Sequence, residues 1–166
     1  MITIFEAYEN KPDVNSLSPE FWQMVRIANW KSVFKGRYRN NTDFYEKIQK
    51  RVYLKYDFDE IIKFKKEYQI FYDQLHKYFR STWLNKKYRE VMPSDDGYSD
   101  LLSSIIGRGK IFTKKCINDK DVMIEMSRNN EYAENFGYIL QVGEKGYWKI
   151  KEKFDPFWSD IKSFNL

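Results

Sequence analysis

The sequence predicts a mainly α fold, a single-domain helical bundle of about five to seven helices. Three observations predict it. Apolar residues recur at helical spacing over long windows, most clearly Ile61, Phe64, Tyr68, Phe71, Leu75 and Tyr78. Helix-start chemistry precedes those windows at Ser18-Pro19-Glu20, Asp57 to Glu60 and Ser94 to Gly97. The 166 residues are 42% hydrophobic and 32% charged, enough apolar material for a core.

In chain order, residues 1–17 read as an N-terminal arm or short strand, and residues 18–165 as the helical body. Ile2 to Tyr8 alternates weakly, and Lys11 to Ser18, with Pro12 and Asn15, reads as a loop. At Ser18 a hydroxyl can accept from an exposed backbone N–H. Pro19 fits the first helical position, and Glu20 suits the positive helix end. The helix carries Phe21, Met24 or Val25, Ala28 and Val33, with Trp22 and Trp30 beside them, and stops near Gly36. Gly36 to Thr42 is a turn. Asp43 to Tyr56 is a second helix, with Phe44, Ile48 and Val52 in line.

Asp57 opens the clearest helix, which runs to about Trp83. Its side chain can accept from an N–H while Glu60 reaches back, as in a capping box. Leu84 to Glu90 is polar and basic, and Pro93 ends helical geometry before it. Ser94-Asp95-Asp96-Gly97 supplies short acceptors before the next helix, Ser99 to Phe112, whose apolar side is Leu101, Leu102, Ile105 and Ile106. Ser103 and Ser104 are small enough for close helix approach. Ile117 to Asp121 is a turn capping a short helix, Val122 to Ser127. Residues 136–150 fit either a helix followed by a turn at Gly143–Gly146, which is favoured, or a short β-hairpin. Asp155-Pro156 starts a last helix with Phe157, Trp158 and Ile161.

Composition excludes several chemistries. The one cysteine, Cys116, cannot form an internal disulfide, which fits a reducing cytoplasm. With His76 the only histidine and no CxxC pair, neither a histidine zinc site nor a serine–histidine triad is expected, nor any metal or cofactor. No apolar run approaches the roughly 20 residues that span a membrane. Tyr, Phe, Lys, Asn and Ile are abundant together, as AT-rich coding produces.

The net charge of +5 is uneven. Residues 31–90 hold 16 basic against 8 acidic residues, while 1–30 and 91–166 are net −2 and −1. A basic middle suits nucleic acid or an acidic protein partner, or is a solvated lysine-rich face. Arg37, Arg39, Lys86, Lys87 and Arg89 are its candidate contacts. In Gly36 to Thr42, arginine and tyrosine alternate, as segments that grip a phosphate backbone do.

The candidate site is the motif Ser94, Asp95, Asp96, Gly97 and Tyr98. Adjacent carboxylates at Asp95 and Asp96 can hold Mg²⁺ or share a proton; alternatively both cap the helix that follows. His76 is the third catalytic candidate, or a boundary residue beside the apolar stripe. Arg108 and Lys110 lie on the order of 15 Å further along that helix at 1.5 Å per residue. A cation helping the carboxylates would have to come from Arg80 to Arg89.

A span from about Phe21 to Leu140 resembles the bacterial domain-of-unknown-function family 4240. The resemblance is carried by Phe21-Trp22, by Trp83 eleven residues ahead of Ser94-Asp95-Asp96-Gly97-Tyr98, by Ile105-Ile106-Gly107-Arg108-Gly109-Lys110, and by Asn118-Asp119-Lys120-Asp121, which looks like the family's D-P-D turn. Where the family has small residues after the tryptophan, this chain has Asn85-Lys86-Lys87-Tyr88-Arg89. Where it has an Arg-Gly-Trp, this chain has Leu102-Ser103-Ser104. The resemblance implies a mainly helical fold and no particular substrate.

Three functions are in play. A non-enzymatic interaction protein, such as an immunity-type or regulatory partner of another bacterial or phage protein, comes first. A nucleic-acid binder using 31–90 and an enzyme centred on Asp95 and Asp96 are the alternatives.

Overall fold

In a computed structural model, residues 10–28, 42–132 and 143–155 are described. They form seven α-helices and no strand. These are α1 (Pro19–Ala28), α2 (Thr42–Tyr53), α3 (Phe58–Trp83), α4 (Asp95–Gly107), α5 (Lys110–Asn118), α6 (Lys120–Arg128) and α7 (Glu144–Phe154). Short 3-10 turns cover Val14–Ser16 and Lys86–Tyr88. Four sequence expectations lie outside the described residues: the strand at 2–8, the turn from Gly36 with Arg37 and Arg39, residues 136–142, and the last helix beyond Asp155.

α1 starts where Ser18-Pro19-Glu20 predicts. The Ser18 hydroxyl accepts from Phe21 N–H at 3.2 Å. It is itself held from a distance: the Ser18 backbone N–H and hydroxyl donate to the two carboxylate oxygens of Glu67, at 2.9 and 2.8 Å. The cap of α1 is thereby fixed to the middle of α3. α1 buries Phe21, Trp22, Met24, Val25 and Ala28, and the Trp22 indole N–H donates to the Val14 carbonyl.

The capping box of α3 is formed as predicted, with Glu60 N–H donating to Asp57 and Asp57 N–H to Glu60, both at 2.8 Å. The buried stripe is Ile61, Phe64, Tyr68, Phe71, Leu75 and Phe79. Phe79, not Tyr78, takes the last position, because four residues on from Leu75 returns closer to the same face than three do. Tyr78 sits half-buried at the edge, its hydroxyl donating to the Ile117 carbonyl.

α4 is the central helix. It packs on α3, α5 and α1, and Leu101 to Gly107 are all buried. Ser103 and Ser104 are both buried, and Ser103 accepts a hydrogen bond from the Tyr68 hydroxyl at 2.9 Å. The helix expected over Ser99–Phe112 instead starts at Asp95 and ends at Gly107. Gly109 at φ 95° turns the chain there, a left-handed value that glycine adopts cheaply. α5 and α6 meet at Asp119, which ends one and caps the other, accepting from Asp121 N–H. α6 therefore begins at Lys120, two residues before the expected Val122.

Residues 144–150 are helical, so neither the turn at Gly143–Gly146 nor the second arm of a hairpin is formed. Gly143 is the N-cap of α7 and Gly146 is inside it. A glycine in a helix interior costs about 1 kcal/mol. Tyr147 offsets that: its ring is 1% exposed, packed on Tyr53 and Phe58, and its hydroxyl donates to the Tyr56 carbonyl at 2.9 Å. No helix among the described residues is long and apolar enough to cross a membrane.

Candidate functional site

The motif Ser94 to Tyr98 lies at the start of α4. Ser94 is the N-cap, yet its side chain makes no capping hydrogen bond. Asp95 and Asp96 occupy the first turn, exposed, and among the described residues neither side chain has a hydrogen-bond or ion-pair partner. They therefore do not bind the helix N–H groups, as the capping reading required. What they offer α4 is negative charge at its positive end. No cation from Arg80 to Arg89 pairs with them, and among the described residues no cluster of three His, Cys, Asp or Glu could hold a metal ion.

The other motif residues form a clasp. Tyr98 is 1% exposed and stacks on Trp83, centroids 4.8 Å apart and planes 14° apart. The Trp83 indole N–H donates to the Pro93 carbonyl, and the Tyr98 hydroxyl to the His76 carbonyl, both at 3.0 Å. The spacing of tryptophan to S-D-D-G-aromatic is thus the spacing that folds the end of α3 onto the start of α4.

Gly97 is required by Pro93. A Cβ on Gly97 would lie 2.7 Å from the Pro93 Cβ, closer than such atoms come. In most helices Gly→Ala stabilises by about 1 kcal/mol. Here Gly97→Ala is expected to destabilise by about 1–3 kcal/mol, because the proline ring and backbone must shift. In the Pro93→Gly background, which removes that Cβ, the ordinary stabilising sign returns. Urea melts of the four proteins in this cycle check it, and stabilisation by Gly97→Ala with Pro93 in place would contradict it.

His76 is half-buried in a file of rings along one side of α3. Phe64, Tyr68, Tyr72 and His76 follow at 6.0–6.2 Å centroid spacing, and Tyr98 continues the file 5.1 Å from His76. Its ring packs between Tyr72 and Tyr98. Lys86, Lys87 and Arg89 are exposed around the 3-10 turn, with Lys87 over the Tyr88 ring. The structure brings His76 and the motif together through Tyr98, but leaves Asp95 and Asp96 in solvent.

Two recesses were not foreseen from the sequence. The larger, about 600 Å³, lies between α1 and the α4–α5 junction. Pro19, Trp22, Gln23, Val25 and Arg26 line it from one side, and Gly107 to Ile111 from the other. Arg108 is held in place: its Nη2 donates to the Glu131 carbonyl at 2.8 Å and the Glu131 carboxylate at 3.2 Å, and its guanidinium lies over Phe112. Arg26 and Lys110 are exposed. The sequence signal on one side was the cluster Gly107-Arg108-Gly109-Lys110; nothing local pointed to α1. The second recess, about 480 Å³, is lined by Lys47, Lys50, Arg51, Leu54 and Lys55 on α2 and its C-terminal turn.

A family model described as a protein of unknown function, DUF4240, matches residues 18–149. No curated protein and no solved structure matches the chain.

Proposed function

The chain belongs to the DUF4240 family of proteins of unknown function, and from that starting point we propose that it is a non-enzymatic protein-interaction module, an immunity-type or regulatory partner of another bacterial or phage protein. The observation that carries this reading is the make-up of the 600 Å³ cleft: an apolar floor from Trp22 and Val25, cations at Arg26, Arg108 and Lys110, and, among the described residues that line it, no carboxylate, imidazole, thiol or hydroxyl side chain. Such a surface recognises and holds; proton transfer and nucleophilic attack use groups of the other kind. The exposure of Asp95 and Asp96, with no partner for either among the described residues, supports the same reading, since catalytic carboxylates work through neighbours that shift or orient them.

The test is a tagged chain expressed in its native host together with the adjacent gene product. The expected result is a stoichiometric complex that survives size exclusion and is unchanged by Asp95→Asn/Asp96→Asn. Absence of any stoichiometric partner overturns the reading. A second reading, polyanion binding, is favoured by one observation: Lys47, Lys50, Arg51 and Lys55 line one recess with no carboxylate among them. It requires DNA or RNA affinity that falls steeply with salt and is lost in Lys47→Glu/Lys50→Glu.

A further inference from the structure

We propose that the cleft between α1 and the α4–α5 junction binds an acidic segment of the protein partner, one that carries a large apolar side chain between its carboxylates. The proposal rests on the interaction-module reading and gives that reading a site and a ligand chemistry.

The floor argues for the apolar side chain. Trp22 is 9% exposed and Val25 1%, so the recess bottoms on core side chains. The Trp22 indole N–H is already donated to the Val14 carbonyl, which leaves its ring, and no side-chain donor, to the cleft. Ile111 stands at the mouth at 87% exposure, the most exposed of the large apolar side chains among the described residues. A lone exposed isoleucine means little. This one borders an apolar recess, so a single incoming side chain would cover Ile111 and fill the recess together. Filling the recess removes apolar surface from water on both partners.

The rim argues for the carboxylates. Arg26, Arg108 and Lys110 are three like charges around one opening, with no acidic residue among the described residues that line it. Arg108 has its counter-charge in Glu131, which fixes the guanidinium beside the cleft. Arg26 and Lys110 form no ion pair among the described residues. An anionic partner would neutralise these charges, and the half-enclosed apolar recess raises the worth of each contact above that of a surface pair in open water. A nucleic acid fits less well, because Trp22 lies too deep to offer a stacking face to a base. A bare inorganic anion would leave the floor unused.

The probe is the fluorescein-labelled peptide acetyl-Glu-Asp-Leu-Phe-Asp-Glu-amide, titrated into the full chain and followed by anisotropy. Saturable binding is expected, with shifts of the Ile111 methyl resonances that locate it. Arg26→Glu/Lys110→Glu should weaken binding at least ~tenfold with an unchanged thermal melt, since both side chains are exposed. Replacing Leu-Phe by Ser-Ser in the peptide should weaken it comparably, while Lys47→Glu/Lys50→Glu should leave it as in the wild type. The proposal is overturned in favour of dispersed charge if the α2 variant and the cleft variant weaken binding equally. It is overturned in favour of a small-anion site if the Ser-Ser peptide, or inorganic phosphate in competition, binds as well. Displacement of the peptide by oligodeoxythymidine at the same residues overturns it for nucleic acid. Self-association abolished by Arg26→Glu/Lys110→Glu overturns it for a second copy of the chain. A stoichiometric complex that ignores both peptide and charge reversal removes this site while keeping the interaction reading; absence of any stoichiometric complex with the wild-type chain removes both.

Discussion

Replacing Tyr98 by alanine is expected to cost about 3–5 kcal/mol of folding stability, a third or more of what a domain of this size typically has. The ring is 1% exposed and packs on two neighbours at once, Trp83 in a near-parallel stack and His76 at a tilt. Its removal leaves a cavity where the end of α3 is tied to the start of α4 across the intervening polar turn. It also withdraws the hydroxyl that donates to the His76 carbonyl. Tyr98→Phe separates these effects: the stack remains and only the hydrogen bond goes, at about 0.5–1.5 kcal/mol. Trp83→Ala should resemble Tyr98→Ala, and the double variant should cost less than the sum by about 0.5–1.5 kcal/mol, the part that belongs to the ring pair. Urea unfolding of the four proteins measures all of this. A Tyr98→Ala cost below ~1 kcal/mol would mean that the motif does not hold the two helices together.

The same clasp shows where sequence reasoning works and where it stops. The capping box at Asp57 and Glu60 was legible because both partners lie within one helical turn and need nothing else. Most of the α3 stripe was legible for the same reason; only its last position slipped from Phe79 to Tyr78, as happens when a stripe is followed by steps of three and four alone. The S-D-D-G-aromatic pattern was visible, but its meaning was not. Read along the chain, two aspartates before a helix look like caps or a catalytic pair. In the fold the aspartates are solvated, and the working parts are Trp83, Pro93, Gly97 and Tyr98. That assignment depends on α3 folding back beside α4, a tertiary fact with no local signature.

Long-range polar contacts were hidden for the same reason. Ser18 was recognised as a cap, but Glu67, which grips its N–H and hydroxyl, lies 49 residues on. The α1 side of the cleft was missed because Trp22 and Arg26 meet Arg108 and Lys110 only through packing across α4. The helix break at Gly109 did have a signal in Gly107-Arg108-Gly109. It was outweighed by the apolar run on either side, which continues to Phe112 in helical register.

Alkaline unfolding between about pH 9 and 12 is the second large effect expected. Cys116 is fully buried in α5, and burial pushes its thiol above the ordinary thiol range up to about 12; the nearby Arg108 and Lys115 charges oppose the shift without reversing it. Tyr147, fully buried in α7, is likewise pushed up to about 12 by burial, with the Asp57 and Glu60 charges adding to it. Both groups are neutral when protonated, and both hold their proton more tightly folded than unfolded. Their stabilising contribution is therefore complete below the unfolded pKa values, roughly 8.5 for a thiol and 10 for a phenol. It is lost as pH rises towards the folded values, because the unfolded chain sheds protons that the folded chain keeps. Each group contributes a slope of about 1.4 kcal/mol per pH unit within its window. Between pH ~9 and ~10 only the thiol acts, and above ~10 the two add. Urea melts across this range should show stability falling, gently at first and then more steeply. Cys116→Ala should flatten the first part and reduce the slope of the second, whereas Tyr147→Phe should leave the first part as it is and reduce only the second. In the folded wild type the thiol should react with a disulfide reagent only at the rate of unfolding, since a buried, protonated sulfur is a poor nucleophile. A wild-type curve that stays flat to pH ~11, or rapid labelling of Cys116 under native conditions, would mean that α5 does not enclose this side chain as its packing indicates.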